Sequence, residues 1–457
     1  MESRSRMSTS NPQALLKGSI VRAIMLLAGP MFISAFLQNA QSLIDLFWVG
    51  RLGSESVAAL ALSGAALMVL FPIQMGLATG TVALVSRAYG AGDARRASFL
   101  SAQSLTFAIG VGLLLGLLFL PFVDPACRLL GAEPAVAVLA GSYLRVSLYG
   151  LFAGLVLFIV NSALQGAGNT VVPMGAMLLA NILNLILDPL LIYGIGWFPR
   201  LGVAGAAWAT VLSHVLAAAA LLTIMASGRT HLRPRWADYR PVWMDGYRLL
   251  RIGLPSMGQM ASRSLMGMVF FRIIARYGTA VVAGYGIGMR WHMVLLMPCF
   301  VLANAAATLV GQNLGAGQPE RAQRAAWACA GLVGVIMVTL IAVIFGFAEV
   351  SIRLFDASPA VVDIGSGFLR TVSPFYLLAG ISIVLDRALN GAGCTLSTMI
   401  FTVVTLWGLQ VPLALLFANW FDPPVQGVWW AMNTATTLHV ILSVCWFLTG
   451  RWKRQTV

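Results

Sequence analysis

The sequence contains little charge, and acidic residues are especially few. Only 10% of its 457 residues are Asp, Glu, Lys or Arg, and only 15 are acidic, whereas a soluble domain carries about 25% charged residues. Hydrophobic residues make up 59% of the chain, with apolar runs of about 20 residues, the length of a membrane-spanning helix. The alternating pattern of ~10-residue barrel strands is absent. The composition therefore predicts an integral membrane protein with helical spans.

Cysteine clusters and catalytic motifs are also missing. The five cysteines are scattered without CxxC spacing, so they predict neither a disulfide framework nor a metal site. The sequence contains no Walker A, HExxH or GxSxG motif. A membrane-embedded enzyme would need a metal or nucleophile cluster that the sequence does not offer. We therefore expect no enzyme and no cofactor, and any uphill transport must draw on an ion gradient.

Basic residues are unevenly distributed along the chain. The net charge of +14 is compatible with nucleic-acid binding, but Lys and Arg at the cytoplasmic ends of spans explain it better. With the N-terminus inside, 18 Lys and Arg lie on the cytoplasmic side and eight on the opposite side. We therefore expect a monomer in the lipids of the cell (inner) membrane, with both termini cytoplasmic and no nucleic-acid partner.

Twelve apolar segments are predicted to cross the membrane, which gives an all-α fold. In chain order they cover 23–48, 57–82, 99–122, 140–163, 172–193, 204–226, 251–275, 281–309, 325–348, 365–388, 397–418 and 428–449.

An internal repeat relates the two halves of the chain at one constant shift. AYGAGDARRA at 88–97 resembles NLGAGQPERA at 313–322, and LQGAGNT at 164–170 resembles LNGAGCT at 389–395. The same shift that carries the first segment onto its partner also carries the second. Agreement at one shift over most of the chain indicates a duplication.

The duplication predicts two lobes of equal design. Each half holds six spans, an even number, so the two lobes form a parallel repeat. The predicted boundaries are an N-terminal lobe at 1–228, a cytoplasmic linker at 229–250 and a C-terminal lobe at 251–457.

Three acidic residues lie within the predicted spans, namely Asp45, Asp188 and Asp386. A carboxylate at membrane depth is costly unless it is paired, hydrated or protonated, so it faces the bundle interior or a water-filled cavity. Such a group can exchange a proton, and its oxygens can also hold a hard cation such as Na⁺. These residues are therefore candidates for ion coupling.

Span 1 carries a polar stripe that ends in a carboxylate. Gln38, Gln41 and Asp45 are spaced i, i+3 and i+7, so they share one helix face. Pro30 is predicted to kink this span and to act as its hinge, because proline cannot donate a backbone hydrogen bond. The alternative is structural polar glue between helices. We favour a functional role, because burying an ionisable carboxylate costs more free energy than a structural contact between helices requires.

Span 5 carries a matching stripe in NILNLILDPLLIYG, residues 181–194. Asn181, Asn184 and Asp188 share one helix face. Pro189 follows the carboxylate and is predicted to disturb the preceding turn, which frees a carbonyl beside it.

The C-terminal half has further charges within or near its spans. Asp386 precedes Arg387 near a predicted helix end, so a local ion pair or a partnership with Arg263 is expected. Structural and coupling roles both remain open for this carboxylate. Arg290 is interpreted as a structural or gating residue that can meet a carboxylate.

Histidine and methionine have less specific patterns. His214 and His439 occupy equivalent repeat positions and are interpreted as packed structural residues. The 20 methionines mostly indicate packing, although flexible thioethers also suit an adaptable apolar cavity.

Several segments together resemble a known family. The PMFISAFLQNAQSLIDLFWVGRLG span, the SRAYGAGD and GQNLGAGQPERA loops, LQGAGNT, NLILDP and LGVAGAAWAT resemble the multidrug and toxic compound extrusion (MATE) family over nearly the whole chain. The pattern is most similar to the bacterial and archaeal DinF-like branch. The resemblance implies a MATE-type fold of two six-helix lobes. It also implies cation-coupled antiport of organic, often cationic, compounds by alternating access.

The resemblance also implies site residues. Asp45 resembles the family's span 1 carboxylate, and Asn184 and Asp188 resemble its span 5 pair. Thr210 resembles a span 6 threonine near the cation site. The expected substrate cavity combines four loosely matching positions with one residue of the span 1 stripe: Gln38, Gln41, Met68, Asn161 and Met177.

The chain departs from the family pattern in span 7. The sodium-coupled branch has an acid there, where this chain has SMGQMASRSLMG with Arg263 and no acid. The N-terminal lobe is therefore favoured as the coupling site. H⁺ is the preferred coupling ion, and Na⁺ held by Asp45, Asn184 and Asp188 is the alternative.

A lipid-linked oligosaccharide flippase of the same superfamily is the alternative function. Such a protein would need several cationic side chains to bind pyrophosphate. The N-terminal half lacks them, and Arg263, Arg290 and Arg387 would have to supply them from the other half.

Overall fold

The computed structural model describes residues 12–455, and the regular structure in that range is helical throughout. The first ten helices are α1 (Pro12–Lys17), α2 (Ile20–Val49), α3 (Ser54–Leu67), α4 (Phe71–Gly90), α5 (Ala94–Phe119), α6 (Val123–Leu129), α7 (Pro134–Tyr149), α8 (Leu151–Gly166), α9 (Val171–Tyr193) and α10 (Val203–Ala226). The remaining helices are α11 (Trp243–Ile274), α12 (Thr279–Gly315), α13 (Pro319–Gly346), α14 (Ala348–Arg353), α15 (Pro359–Val372), α16 (Tyr376–Gly391), α17 (Thr395–Val403), α18 (Val411–Phe417) and α19 (Pro424–Leu448). A π-helical segment, Val404–Gln410, joins α17 to α18.

The predicted all-helical membrane fold is confirmed, with a difference in the number of apolar spans. Within residues 12–455, ten helical segments are long and apolar enough to cross a membrane, and α7 with α8 adds an eleventh if this pair, bent by 50°, counts as one span. The remaining predicted span corresponds to α11. This helix fails the apolar criterion because its middle carries Gln259, Ser262 and Arg263.

The surfaces of these helices support a lipid environment. Large apolar side chains of α2 and α5 are exposed, including Phe36, Leu43, Leu114 and Leu117, each about two-thirds accessible. A soluble monomer rarely exposes contiguous apolar patches of this extent. The outward-facing side chains of both helices therefore match a hydrocarbon solvent.

The chain divides into two compact units. Among the described residues, the first contains 12–19 and Met25–Gly253, and the second contains Ile20–Ile24 and 254–455. The segment predicted as a separate linker, 229–250, packs within the first unit. There Arg95 of α5 donates two hydrogen bonds to Asp238, at 2.5 and 2.6 Å.

Helix boundaries repeat between the units at the shift found in the sequence. Helix α8 spans Leu151–Gly166 and α16 spans Tyr376–Gly391, so both ends of the helix are displaced by that same shift. Helix α4 ends at Gly90 and α12 ends at Gly315, again at repeat-related positions. The duplication therefore extends from sequence to helix length.

Pro30 lies inside α2, which is continuous from Ile20 to Val49. Proline leaves the carbonyl four residues earlier without its helical donor, and this carbonyl belongs to Leu26. The Thr170 hydroxyl, at the N-cap of α9, donates to Leu26 O at 3.3 Å. The carbonyl that Pro30 leaves free in α2 is thus bonded to the N-cap residue of α9.

Candidate functional site

The first unit brings together four predicted site residues from three helices. Asn184 Nδ2 on α9 lies 3.4 Å from Asp188 Oδ1 and 3.4 Å from Thr210 Oγ1 on α10. Thr210 Oγ1 lies 3.5 Å from Asp45 Oδ2 on α2. We call these residues, Asp45, Asn184, Asp188 and Thr210, the N-half cluster.

The N-half cluster is buried and incompletely satisfied. Asn184 and Asp188 have no exposed surface, and Asp45 is 7% exposed. Asp45 Oδ1, Asp188 Oδ2 and Asn184 Oδ1 are buried without a hydrogen-bond partner. In the described part of the chain, neither carboxylate forms an ion pair with Lys, Arg or His. Buried oxygens without donors indicate that the cluster receives something further, a proton or a cation.

The two carboxyl groups of this cluster lie within hydrogen-bond reach of each other. An ionised carboxylate only accepts hydrogen bonds, so a bond between Asp45 and Asp188 needs a proton on one of them. The oxygens of the four side chains are also the kind that Na⁺ accepts. The geometry therefore fits one monovalent cation or one shared proton.

Close helix packing positions the N-half cluster. Gly205 on α10 lies against α9 so tightly that a Cβ there would lie 2.5 Å from Leu191 O. The Tyr193 hydroxyl, at the end of α9, donates to Trp48 O of α2 at 2.7 Å. These contacts hold α2, α9 and α10 at the spacing that the polar side chains require.

The predicted cavity residues are placed less uniformly. Gln41 is buried and lies 3.3 Å from His214 Nε2, beside the N-half cluster on α2 and α10. Asn161 is buried, and its Oδ1 has no partner. Gln38 is exposed and Met68 is 73% exposed.

Met177 is partly buried, and its carbonyl accepts a hydrogen bond from Asn181 Nδ2 at 2.8 Å. Asn181 therefore bonds within α9, although it shares the helix face of Asn184. Pro189 lies inside α9, which is continuous from Val171 to Tyr193.

A second polar cluster lies in the second unit. Asp386 Oδ2 on α16 lies 2.9 Å from His439 Nε2 on α19. The Ser443 hydroxyl, also on α19, donates to Asp386 Oδ1 at 2.8 Å. Arg263 Nη2 on α11 forms an ion pair with Oδ2 at 3.7 Å, and Gln259 Nε2 approaches the same oxygen at 3.4 Å. We call these five residues the C-half cluster.

Arg290 does not join the C-half cluster. It is exposed on α12 and forms no ion pair within residues 12–455. The partnership of Asp386 with Arg263 is the one that the sequence suggested.

Three members of the C-half cluster were missed from the sequence. His439 was interpreted as a packed residue, and Gln259 and Ser443 were not singled out. A usable signal was present, because His439 and Ser443 are four residues apart on one helix face. Gln259 and Arg263 have the same spacing on α11. Polar pairs at this spacing inside apolar helices indicate a shared partner.

Neither cluster resembles a transition-metal site. In the described range, no group of three or more His, Cys, Asp or Glu side chains is placed to hold a metal ion. The duplicated helical units, lipid-facing surfaces and buried carboxylates define the class of helical membrane transporters.

The MatE family model matches the chain twice, at residues 30–190 and 255–416. The two matches cover more than half of the chain, and they begin at repeat-related positions. The chain therefore belongs to the multidrug and toxic compound extrusion family.

Individual relatives align along nearly their whole length. A probable multidrug resistance protein NorM of Thermotoga maritima is 28% identical, over 96% of this chain and 94% of that protein. A FAD transporter of Shewanella oneidensis is 29% identical, over 96% of each. A solved MOP superfamily transporter from Pyrococcus furiosus has a TM-score of 0.88 at 28% identity, covering 98% of this chain and 100% of that one.

These findings confirm the predicted family and its fold. MATE proteins are transporters, so this chain is a multi-pass membrane transporter and not an enzyme. The assignment to the DinF-like branch stays a prediction.

Proposed function

We propose that this protein exports organic, often cationic, compounds across the cell membrane in exchange for H⁺. One observation carries the proposal: Asp45 and Asp188 are buried together without a counter-charge. Two adjacent carboxylates that both ionise would repel each other in a low-dielectric site. The N-half cluster is thus stable only when a proton or a cation is present. Relatives named as multidrug resistance proteins support export as its use.

The proposed cycle uses competition for the carboxylates of the N-half cluster. A proton bound between Asp45 and Asp188 removes their charge and releases a cationic substrate. Loss of this proton on the cytoplasmic side restores the charge and allows the next substrate to bind. A ligand shifts a conformational equilibrium only through a difference in affinity between the states. We propose that the proton favours the substrate-releasing state in an alternating-access cycle.

Na⁺ is the less favoured coupling ion. Na⁺ would use the oxygens of Asp45, Asn184 and Asp188, which the first unit places close together. The contact between the two carboxyl groups needs only a proton to be satisfied. Asp386, the carboxylate of the C-half cluster, is already paired with Arg263 and His439, and so is not a free ligand for Na⁺.

The location and assembly proposed for the chain follow the same reasoning. We propose that it acts as a monomer in the cell membrane. Both termini are proposed to be cytoplasmic, because Lys and Arg predominate on that side.

Replacement of Asp45 by Asn tests the proposal. Cells expressing the Asp45→Asn variant should lose drug resistance at normal protein abundance. A matched control is Asp363→Asn, which removes an exposed carboxylate of α15 and should keep resistance. Purified protein in vesicles should then transport a cationic dye after a pH jump and not after a Na⁺ jump. Unchanged resistance of Asp45→Asn would contradict the site, and a response to Na⁺ alone would reverse the choice of ion.

The flippase alternative is not favoured. Pyrophosphate recognition needs several available cations, and the N-half cluster contains none. In the other unit, Arg263 is paired with Asp386.

The relative named as a FAD transporter makes an anionic substrate worth testing directly. The vesicle assay should therefore include FAD beside the cationic dye. Exchange of FAD for protons without dye transport would keep the coupling site and replace the proposed substrate class.

A further inference from the structure

The C-half cluster contains a hydrogen-bond pattern that a lone structural ion pair does not explain. The His439 ring uses both nitrogens: Nε2 lies 2.9 Å from Asp386 Oδ2, and Nδ1 lies 3.0 Å from the Thr405 hydroxyl. Thr405 belongs to the π-helical segment Val404–Gln410. All three side chains are buried, with at most 7% of each residue accessible.

The number of protons in this pattern can be counted. A threonine hydroxyl has one proton, and the shorter contact of Thr405 Oγ1 is with Phe401 O, at 2.7 Å. If the hydroxyl donates to Phe401 O, then His439 Nδ1 must carry a proton and donate to the hydroxyl oxygen. The 2.9 Å contact with Asp386 needs another proton, on Nε2 or on the carboxyl group. The pair is then neutral overall.

The same atoms permit one other arrangement. If the pair loses a proton, His439 keeps one on Nε2 for the Asp386 carboxylate, and Nδ1 becomes an acceptor. The Thr405 hydroxyl then donates to Nδ1 and releases Phe401 O. The two arrangements differ by one proton, one unit of charge on the pair and one hydrogen bond from the Thr405 hydroxyl to the Phe401 carbonyl.

From this count, we propose that Asp386 and His439 form a second proton-binding site and that Thr405 couples its occupancy to the π-helical segment. The proposal rests on the proposed proton-coupled antiport and extends it to the second unit. The N-half cluster and this site would then each bind one proton.

Neighbouring arginine side chains would respond to a proton on the Asp386–His439 pair. Arg263 faces Asp386 from α11, and Arg387 follows it on α16. Helices α12, α13 and α17 contribute no ion pair to Asp386 in the described range. A proton on the pair removes the negative charge that attracts Arg263, whose side chain is 39% exposed. Proton binding would therefore also release this guanidinium.

The π-helical segment is suited to respond. A π segment replaces the regular i to i−4 ladder over one or two turns and is often found at functional sites. Pro412 follows it at the start of α18 and has no backbone N–H to donate. The hydrogen bond from Thr405 to Phe401 O lies at the other end, where α17 ends at Val403. Thr405 therefore links the π-helical segment to α17 through one side-chain hydrogen bond, which the other proton arrangement would release.

The repeat supplies an internal comparison. The counterparts of Asp386 and Thr405 are Asn161 and Ala180, so the first unit lacks the acid and the hydroxyl. The counterpart of His439 is His214, which contacts the amide of Gln41. The arrangement of Asp, His and Thr around one proton therefore occurs in the second unit and not at the equivalent positions of the first.

The first experiment observes His439 directly in the full-length protein in detergent. The chain has four histidines, so ¹⁵N-histidine NMR gives few signals, and His439→Gln assigns the one of interest. We expect both His439 nitrogens to be hydrogen-bonded and Nδ1 to lose its proton as pH rises. A His439 ring that keeps one tautomer and charge from pH 5 to pH 9 would overturn the proposal.

The second experiment counts protons released when a cationic drug is added to weakly buffered protein. His439→Gln should release about one proton fewer per chain than the unmodified protein, because one site is lost. The control His231→Gln changes an exposed linker histidine and should release the same number as the unmodified protein. Equal release by His439→Gln would overturn the proposal. No release by any protein would contradict the proposed antiport itself, and the NMR titration would still decide the proton site.

The third experiment separates proton binding from its transmission. Thr405→Val removes the hydroxyl with little change of volume and should leave a titrating His439 while reducing coupled transport several-fold. Thr437→Val is the matched control, because that hydroxyl bonds only to Asn433 O of its own helix. Unchanged transport by Thr405→Val would remove Thr405 from the proposal.

Discussion

The N-half cluster and the C-half cluster are both buried, and they are built differently. The N-half cluster contains Asp45 and Asp188 with no counter-charge in the described range. The C-half cluster contains the single carboxylate of Asp386, held by Arg263 and His439. A buried charge is costly unless it is paired. The first cluster therefore has two buried carboxyl groups and no counter-charge, whereas the second carries its counter-charge within the protein.

The clusters also lie at non-equivalent positions of the repeat. Asp45 and Asp188 correspond to Phe270 and Leu413. Asp386 corresponds to Asn161. The duplication thus kept the lengths of the helices, and the charges of each half were set separately.

The corresponding helices differ in the same way. Helix α9 is a continuous α-helix with Pro189 inside it. Its counterpart is divided into α17, a π-helical segment and α18, with Pro412 at the second junction. A regular helix holds Asn184 and Asp188 at a fixed i, i+4 spacing, whereas a π segment changes the direction of the side chains after it.

The largest expected effect comes from moving a carboxylate to its repeat counterpart. Phe270 is 2% exposed and packs near Tyr285. Phe270→Asp removes an aromatic side chain and buries an unpaired charge, for a loss of more than about 5 kcal/mol. We expect no folded protein in size-exclusion chromatography, and near-normal yield for the control Phe270→Leu. A well-folded Phe270→Asp protein would show that the two halves tolerate carboxylates at equivalent positions.

A matched set of Asp→Asn variants compares the clusters by stability. Asp386→Asn leaves Arg263 without its counter-charge, and breaking a buried pair costs about 3–5 kcal/mol. We expect the lower end of this range, because Arg263 is 39% exposed. Asp188→Asn removes a charge that has no protein partner, so its melting temperature should equal or exceed that of the unmodified protein. Thermal unfolding in detergent measures both, and the reverse order of stabilities would contradict the comparison.

A change in helix spacing should impair the N-half cluster without altering its chemistry. In Gly205→Ala the new methyl group meets Leu191 O, and such overpacking costs about 1–3 kcal/mol. Displacement of α10 would lengthen the contact between Asn184 and Thr210, so drug transport should fall more than protein yield. Gly175→Ala on α9 is the control, because among the described residues no atom beyond its chain neighbours and the adjacent backbone of α9 lies within 4 Å of the added carbon. Equal transport by the two variants would show that the function of the N-half cluster does not depend on the spacing of α9 and α10.

The smallest expected effect concerns the segment after α10. The hydrogen bonds from Arg95 hold the pKa of Asp238 below its usual range. A depressed carboxyl pKa stabilises the fold above the ordinary value of about 4, and the contribution is lost as pH falls through the folded pKa. Hydrogen exchange at Arg235 N, which donates to Asp238 Oδ2 at 2.7 Å, should stay slow from pH 8 to pH 5, after correction for intrinsic rates.

Asp238→Asn should speed this exchange at neutral pH. The control Glu320→Gln changes the exposed acid that bonds to Lys453 in the second unit and should leave it unchanged. Exchange that is already fast at pH 7 in the unmodified protein would remove the role assigned to Arg95 and Asp238.

Much of the fold was predictable because it depends on local and periodic features. Apolar run length predicted every span as a helix, and the constant shift between the halves predicted matching helix ends. Helix α11 was predicted in the same way, although Gln259, Ser262 and Arg263 keep it below the apolar criterion for a span. The break between α7 and α8 at Gly150 was also missed, because it arises where Val211 leaves no room for a side chain.

The two clusters differ in how far they could be predicted. Polar residues at helical spacing in an apolar segment can be recognised from the sequence, and they indicated Asp45, Asn184 and Asp188. The family resemblance indicated the same three residues and added Thr210. His439 was interpreted as a packed residue, because a single histidine in a helix has no local pattern that distinguishes packing from proton exchange.

Composition and periodicity can be read directly from the sequence. They were enough to establish the membrane environment, the helical spans, the internal duplication and the few carboxylates within the spans. Which carboxylate has a counter-charge depended instead on the packing of the helices. Asp386 meets Arg263 and His439, which are distant from it in the sequence, whereas Asp45 and Asp188 meet each other. The cost of a buried charge depends on the groups within a few ångströms of it, and packing alone brings those groups together.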